Sequence, residues 1–164
     1  IEARRIAVLA AVGVEVGALR AIQQALHEAR ATCRLLGERM GSIATASGQQ
    51  LPVEHTFMAQ PSVLFDGVIV PGGAACVQAL VACGAAMRFV LEAYRHGKSI
   101  CLIGEGSQLL APLGLADPLA AGEIPGVVVG RNDPPAREQL ARDFVAALAG
   151  HRHWARPGVD AVSA

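Results

Sequence analysis

A doubly wound α/β sandwich on a mainly parallel sheet is the fold this sequence predicts, and three observations predict it. Short apolar runs suited to burial on both faces recur at 6–11, 66–71 and 99–103. Stretches with apolar residues at helical spacing separate them. The turns between run and helix are glycine-rich, at Gly13 and Gly17, Gly72 and Gly73, and Gly104 and Gly106. Strands that alternate with helices pair in parallel, because each crossover returns the chain to the same edge of the sheet.

The first element is Ile6-Ala7-Val8-Leu9-Ala10-Ala11, a two-sided strand, followed by a helix with Leu19, Ile22 and Leu26 on one stripe. Thr32 to Leu36, ending at Gly37, is the return strand of this βαβ crossover. The pattern then changes. Ser42 to Ala46 and Gln50 to Phe57 alternate about Ser47-Gly48-Gln49, which predicts a small β-hairpin insertion. Pro61 to Phe65 supplies one helical turn, and Asp66 to Pro71 a buried strand ending in Gly72-Gly73. Alanine-rich helix runs through Leu80 and then from Met87 to Tyr94.

Ser99 to Ile103 is the next strand, Glu105 to Ala111 a short helix, and Gly126 to Gly130 a last strand. Arg137 to Leu148 closes the pattern as an amphipathic helix with Leu140, Phe144, Ala147 and Leu148 on one stripe. This order is that of a flavodoxin-like sandwich. Residues 151–164, with Pro157 and Gly158, read as an extended C-terminal tail that needs a surface to lie on. A length of 164 residues, 52% of them apolar, suits a single domain spanning 1–164 with a real core.

Composition narrows the partners. Fourteen basic and fourteen acidic residues cancel, which argues against nucleic acid and against a membrane surface. No apolar run reaches the length of a membrane span. Cys33, Cys76, Cys83 and Cys101 form no CxxC pair, so a reduced, cytoplasmic protein is expected. The sequence begins at Ile1 rather than Met, which suggests a piece of something longer.

The candidate site lies at the turn after Ser99 to Ile103. A sharp strand-to-helix turn is where α/β enzymes expose a nucleophile beside backbone N–H groups that hold an oxyanion. Here the turn carries Gly104, which has no attacking atom. Gly72 and Gly73 end a strand at the same edge, where successive N–H groups approach an anion or simply make a tight turn. Gly72, Gly73, Gly104 and Gly106 therefore outline a candidate ligand crevice. Glu15, in the first βα loop, is a loop carboxylate that is either solvated or accepts N–H bonds at the helix start. Cys76 lies near a helix N-terminus, where a thiol pKa can fall, and is the candidate displaced nucleophile, with helix packing as the plain alternative. His151-Arg152-His153-Trp154 lacks a third metal ligand and reads as a packed tail anchor, and no metal site is expected.

Several segments together resemble one family, the carboxyl-terminal domain of the large-subunit haem catalases. They are Arg39-Met40-Gly41, then Gly48 with Leu51-Pro52 and Thr56-Phe57, then Pro61-Ser62 with Phe65 to Gly73. Glu92 to Lys98 and His151-Arg152-His153-Trp154 complete the set. That domain is similar to the class I glutamine amidotransferase-like superfamily, whose active members use an elbow cysteine and a first-loop glutamate. The resemblance places the cysteine position on Gly104 and the glutamate on Glu15, with Glu105 where active relatives often carry His.

The resemblance implies a non-catalytic domain with structural, assembly or chaperone-like work. The domain itself would hold no cofactor. Haem would belong to a catalase core upstream of Ile1, whose reaction dismutates hydrogen peroxide to water and oxygen. The implied partners are that core, the sister subunits of a homotetramer and unfolded client proteins. The competing expectation is a free-standing amidotransferase-like stress protein or enzyme that uses Cys76.

Overall fold

The structure is a computed structural model that describes residues 1–116, 122 and 124–157. Six parallel strands form its main sheet in the order β5-β2-β1-β6-β7-β8. These are β1 (Arg5–Leu9), β2 (Thr32–Gly37), β5 (His55–Thr56), β6 (Gly67–Val70), β7 (Ser99–Ile103) and β8 (Val127–Gly130). Leaving out the two-residue β5, the order is that of the flavodoxin-like sandwich, as the sequence predicts. One register row crosses five strands, Leu35, Val8, Ile69, Cys101 and Val128. Every residue of β6 and β7 is buried, the consequence of helices on both faces.

Helix α1 (Gly17–Glu28) buries Ala18, Leu19, Ile22 and Leu26, and packs beside α4 (Pro134–Ala149) on one face. Helix α4 begins with Pro134 and Pro135, whose missing N–H groups cost nothing in a first turn. It buries Leu140, Ala141, Phe144 and Leu148, while Ala147 is only half-buried. Helices α2 (Ala74–Ala82) and α3 (Gly84–Arg95) meet at an angle of 88°. Cys83, in extended backbone between them, makes that break. Tyr94, Phe65, Phe144 and Ile69 are among the largest fully buried side chains, each contributing about 1.5–3 kcal/mol through removal from water.

The hairpin forms from β3 (Gly41–Ala44) and β4 (Gln50–Val53), but its second strand stops earlier than the predicted Phe57. Glu54 ends it. Its N–H donates to the Leu35 carbonyl, and its carboxylate accepts from the Leu35 N–H at 2.7 Å and from Arg34 at 2.8 Å. The chain is thereby stitched to β2, and His55–Thr56 joins the main sheet as its edge strand. The predicted helix after β7 is a 3₁₀ segment, Gly104–Leu110. Pro61 to Phe65 contains the expected turn, a 3₁₀ segment at Ser62–Leu64.

Residues 151–157 cross the amino-terminal edge of the sheet, and the rest of the expected tail, from Gly158, lies outside the described residues. The sequence reading makes Trp154 part of a packed anchor, and the structure corrects this. Trp154 is 66% exposed. The anchors are His153 and Arg156. The His153 ring fills the space a side chain at Gly126 would take, and the His153 backbone N–H donates to the Gly97 carbonyl at 2.8 Å.

Arg156 is buried, and among the described residues it has no carboxylate partner. Its guanidinium donates to the carbonyls of Pro125 (2.7 Å), Tyr94 (2.9 Å) and Lys98, and stacks 5.0 Å from the Tyr94 ring centre. The Tyr94 carbonyl lies in the last turn of α3, where C=O groups carry partial negative charge. Burial lowers the Arg156 pKa to about 10, which leaves it charged at neutral pH.

Candidate functional site

The site is built where β1, β6 and β7 end. Gly104 follows β7 with φ +53°, the left-handed conformation of a sharp elbow. A methyl group there would meet no atom within 4 Å, so the turn has the backbone and the room for a nucleophile without supplying one. Gly106 is glycine for another reason. A methyl group on it would lie 2.7 Å from the Val70 carbonyl oxygen, so close packing of the 3₁₀ segment on β6 requires it.

Gly73, at φ +108°, is the N-cap of α2, and its missing Cβ makes room for the Gly13 carbonyl. Its N–H points into the cradle expected for an anion, and an anion of this chain occupies it. Glu105 Oε2 accepts from the Gly73 N–H at 3.2 Å. Its own backbone N–H and that of Gly73 hold the Glu105 carboxyl below the usual carboxylate range.

Glu15 approaches from the other side. A methyl at Gly72 would lie 3.2 Å from Glu105 Oε2 and 3.4 Å from Glu15 Oε2, so two carboxylates converge on this turn. Glu15 does not accept an N–H at the start of α1. Asn132 takes that role, its Oδ1 accepting the Ala18 N–H at 2.6 Å. The Asn132 Nδ2 donates to Glu15 Oε2 at 2.6 Å and fixes that carboxylate beside Gly72. Asn132 and Glu105 carry the local geometry, and sequence reasoning assigns a task to neither. Asn132 lies 117 residues from Glu15, so nothing in its neighbourhood announces the contact.

Cys76 is fully buried, and the Ala11 N–H donates to its Sγ at 3.3 Å. Burial pushes its thiol up to about 11, opposite to the lowering anticipated for a helix N-terminus. Burial also raises Cys33, to about 12, and Cys101. Desolvation therefore outweighs the Ala11 N–H bond, the contact that favours the thiolate.

A cleft of about 510 Å³ near this edge lies to one side of the elbow. Val12, Arg39, Met40, Phe57, Leu80 and Cys83 line it, and none of Glu15, Gly72, Gly73, Gly104 or Gly106 does. His151 faces Arg4, and His153 faces Ser99 and the Ala147 carbonyl. Among the described residues no three His, Cys, Asp or Glu side chains come together as metal ligands. Among the same residues no single helix is long and apolar enough to cross a membrane.

Comparison with known proteins places this geometry. The family model of the C-terminal domain found in long catalases matches residues 2–157. Catalase HPII of Pseudomonas putida is 38% identical over 95% of the chain and 20% of its own length. Catalase HPII of Mycobacterium avium is 37% identical over the whole chain and 24% of its length, and Catalase-2 of Bacillus subtilis 34% over 93% and 21%. The chain thus spans about a fifth to a quarter of the length of the curated relatives it matches.

Among solved structures, oxidized DJ-1 of Toxoplasma gondii superposes with a TM-score of 0.77 at 16% identity, over 98% of this chain and 96% of that one. A protein of Anabaena variabilis with DJ-1/ThiJ/PfpI-like and ferritin-like domains gives 0.78 at 21% identity, over 98% and 52%. These likenesses show a shared fold. The chain belongs to the family of C-terminal domains found in long catalases.

Proposed function

We propose that this chain is the non-catalytic C-terminal domain of a haem catalase that dismutates two hydrogen peroxide molecules to two waters and one dioxygen. Haem would sit in a core that precedes Ile1, and this domain, a single unit over 1–164, would hold no cofactor. Its partners would be that core and the sister subunits of a homotetramer, in the cytoplasm.

The observation that carries the reading is the state of the elbow. Acyl-transfer chemistry there needs an attacking atom, a proton acceptor and an oxyanion cradle. Gly104 removes the first, and Glu105 puts a negative charge in the third. A developing oxyanion would be repelled by that carboxylate and by Glu15 beside it. Any further role in holding unfolded clients would fall to the cleft beside the exposed Val12, Met40 and Met58, because apolar and flexible side chains accept varied partners.

The test is the subunit mass and visible spectrum of the native protein, captured from its source with an antibody to this domain. A much longer chain with haem absorption is the expected result. A colourless chain of this length would overturn the reading.

A further inference from the structure

Sulfur gathers in one part of the surface, near the carboxyl ends of β1 and β2. The chain has three methionines, and two of them are exposed there, Met40 to 64% and Met58 to 82%. Met40 lines the cleft of about 510 Å³ beside the elbow, and Met58 lines a second cleft of about 400 Å³. The clefts adjoin, because Glu38, Arg39, Phe57 and Cys83 line both. Half-buried Cys83 thus stands in the wall they share, with one methionine in each cleft. Three separate connections bring these sulfurs together: the turn from β2 to β3, the chain just after β5, and the break between α2 and α3.

Thiolate and thioether are soft donors that select Cu(I) and ions like it, whereas zinc sites are built from Cys, His, Asp and Glu. Of that second set, only Cys83 and Glu38 line the two clefts. Charge favours the same choice. Glu38 and Arg39 cancel in the shared wall, so a thiolate with a monovalent cation is neutral, while a divalent ion leaves a charge uncompensated beside Val12, Phe57 and Leu80. Methionine is unbranched with three rotatable bonds, and two exposed ones have little packing to give up in turning onto an ion.

We propose that Cys83, Met40 and Met58 form a binding site for a soft monovalent metal ion, Cu(I), with the Cys83 sulfur as its anchor. Binding replaces the thiol S–H bond with a metal–sulfur bond and releases the proton to solvent, the thioethers donate lone pairs without ionising, and no electron is transferred. Counting His, Cys, Asp and Glu misses this site, because two of its three donors are thioethers. The ion is held beside the elbow and enters no reaction there, whether or not a haem core precedes Ile1.

The experiment titrates the native full-length protein with Cu(I) buffered by bicinchoninate, without oxygen. Maleimide labelling of Cys83 is read by peptide mapping, which separates it from thiols elsewhere. The ε-methyl NMR signals of ¹³C-labelled Met40 and Met58 are followed in parallel, assigned by Met40→Leu and Met58→Leu. Expected are protection of Cys83, shifts of both methyl signals over the same Cu(I) range, and little protection by Zn(II) at equal free concentration. In the double variant the Cu(I) concentration that half-protects Cys83 rises by about tenfold or more, since even the supporting partners of a ligand are worth that much. Leucine keeps the volume of methionine and both positions are exposed, so this variant folds. A half-point unchanged in the double variant, or a protected thiol with both methyl signals unmoved, would reduce the site to an ordinary thiol and overturn it. Protection by Zn(II) equal to that by Cu(I) would overturn the soft-ion assignment.

Discussion

Glu105 holds the Gly73 N–H through a 3.2 Å hydrogen bond, so the anion position at the end of β6 is filled from within the chain. The carboxylate titrates below its usual value because the hydrogen bonds favour its charged form. Its contribution is therefore complete at neutral pH and is lost as pH falls through the folded-state value. The Gly73 amide chemical shift will follow a single titration with a midpoint below the usual carboxylate range. Glu105→Gln will abolish it. An amide shift that ignores both pH and the substitution would show that the contact does not form in solution.

Gly104→Cys will fold. Its Cβ enters open space, so the cost is that of a side chain at φ +53°, about 1–2 kcal/mol, rather than a clash. The new thiol will react with a maleimide faster than Cys76, which is buried. It will not hydrolyse a p-nitrophenyl ester faster than the wild type, because Glu105 still fills the cradle. Denaturant unfolding, labelling rates and ester turnover measure the three effects, and turnover by the single variant would refute the blocking role of Glu105.

The strands and the elbow are legible in the sequence because two-sided burial leaves an unbroken apolar run, and a glycine at a strand-to-helix turn is visible as a letter. Contacts that close over long separations leave no such trace. Glu15 and Asn132 meet across 117 residues, and Arg156 reaches Tyr94 across 62. Glu54 ends the hairpin early through its carboxylate on the Leu35 N–H, which outcompetes an alternation that otherwise runs on to Phe57. Trp154 misleads because an only tryptophan suggests a core anchor, while the smaller His153 fits the gap left by Gly126.

The four cysteines will separate in a timed maleimide labelling experiment followed by peptide mapping. Cys83, half-buried at the break between α2 and α3, will label first. Cys33 is also half-buried, but its thiol is raised to about 12 by burial and by the charge of Glu54, so it will lag. Cys76 and Cys101 will label only after denaturation. Early labelling of Cys76 in the folded protein would contradict its burial and reopen it as a nucleophile.

Arg156→Met will loosen the end of the described chain. It removes a charged donor from the carbonyls of Pro125, Tyr94 and Lys98, and leaves these acceptors with less than their full complement. A loss of about 2–3 kcal/mol is expected, since hydrogen bonds to charged groups are worth more than neutral ones. Arg156→Lys will recover little of it, because an ammonium lacks the planar fork that spans several acceptors. Urea unfolding gives the magnitude, and faster proteolysis after Leu148 locates it. A variant as stable as the wild type would mean that the tail is held elsewhere.

Acid will release the same segment through His153. The ring Nε2 lies 3.0 Å from the Ala147 carbonyl and 3.2 Å from Ser99 Oγ, which suits a neutral ring that donates from Nε2. Burial lowers its pKa below the ordinary 6.5, and the nearby Arg156 charge acts in the same direction. The unfolded chain therefore binds a proton before the folded one does, and the stability this seat contributes is complete above about pH 6.5. It is lost as pH falls through the folded-state value. Fluorescence of Trp154, the only tryptophan of these 164 residues and the neighbour of His153, will change over that window, and the melting temperature will fall with it. His153→Gln will remove the pH dependence, because an amide keeps a donor but takes up no proton. Since His27, His55, His96 and His151 remain in that variant, persistence of the transition would assign it to one of them instead.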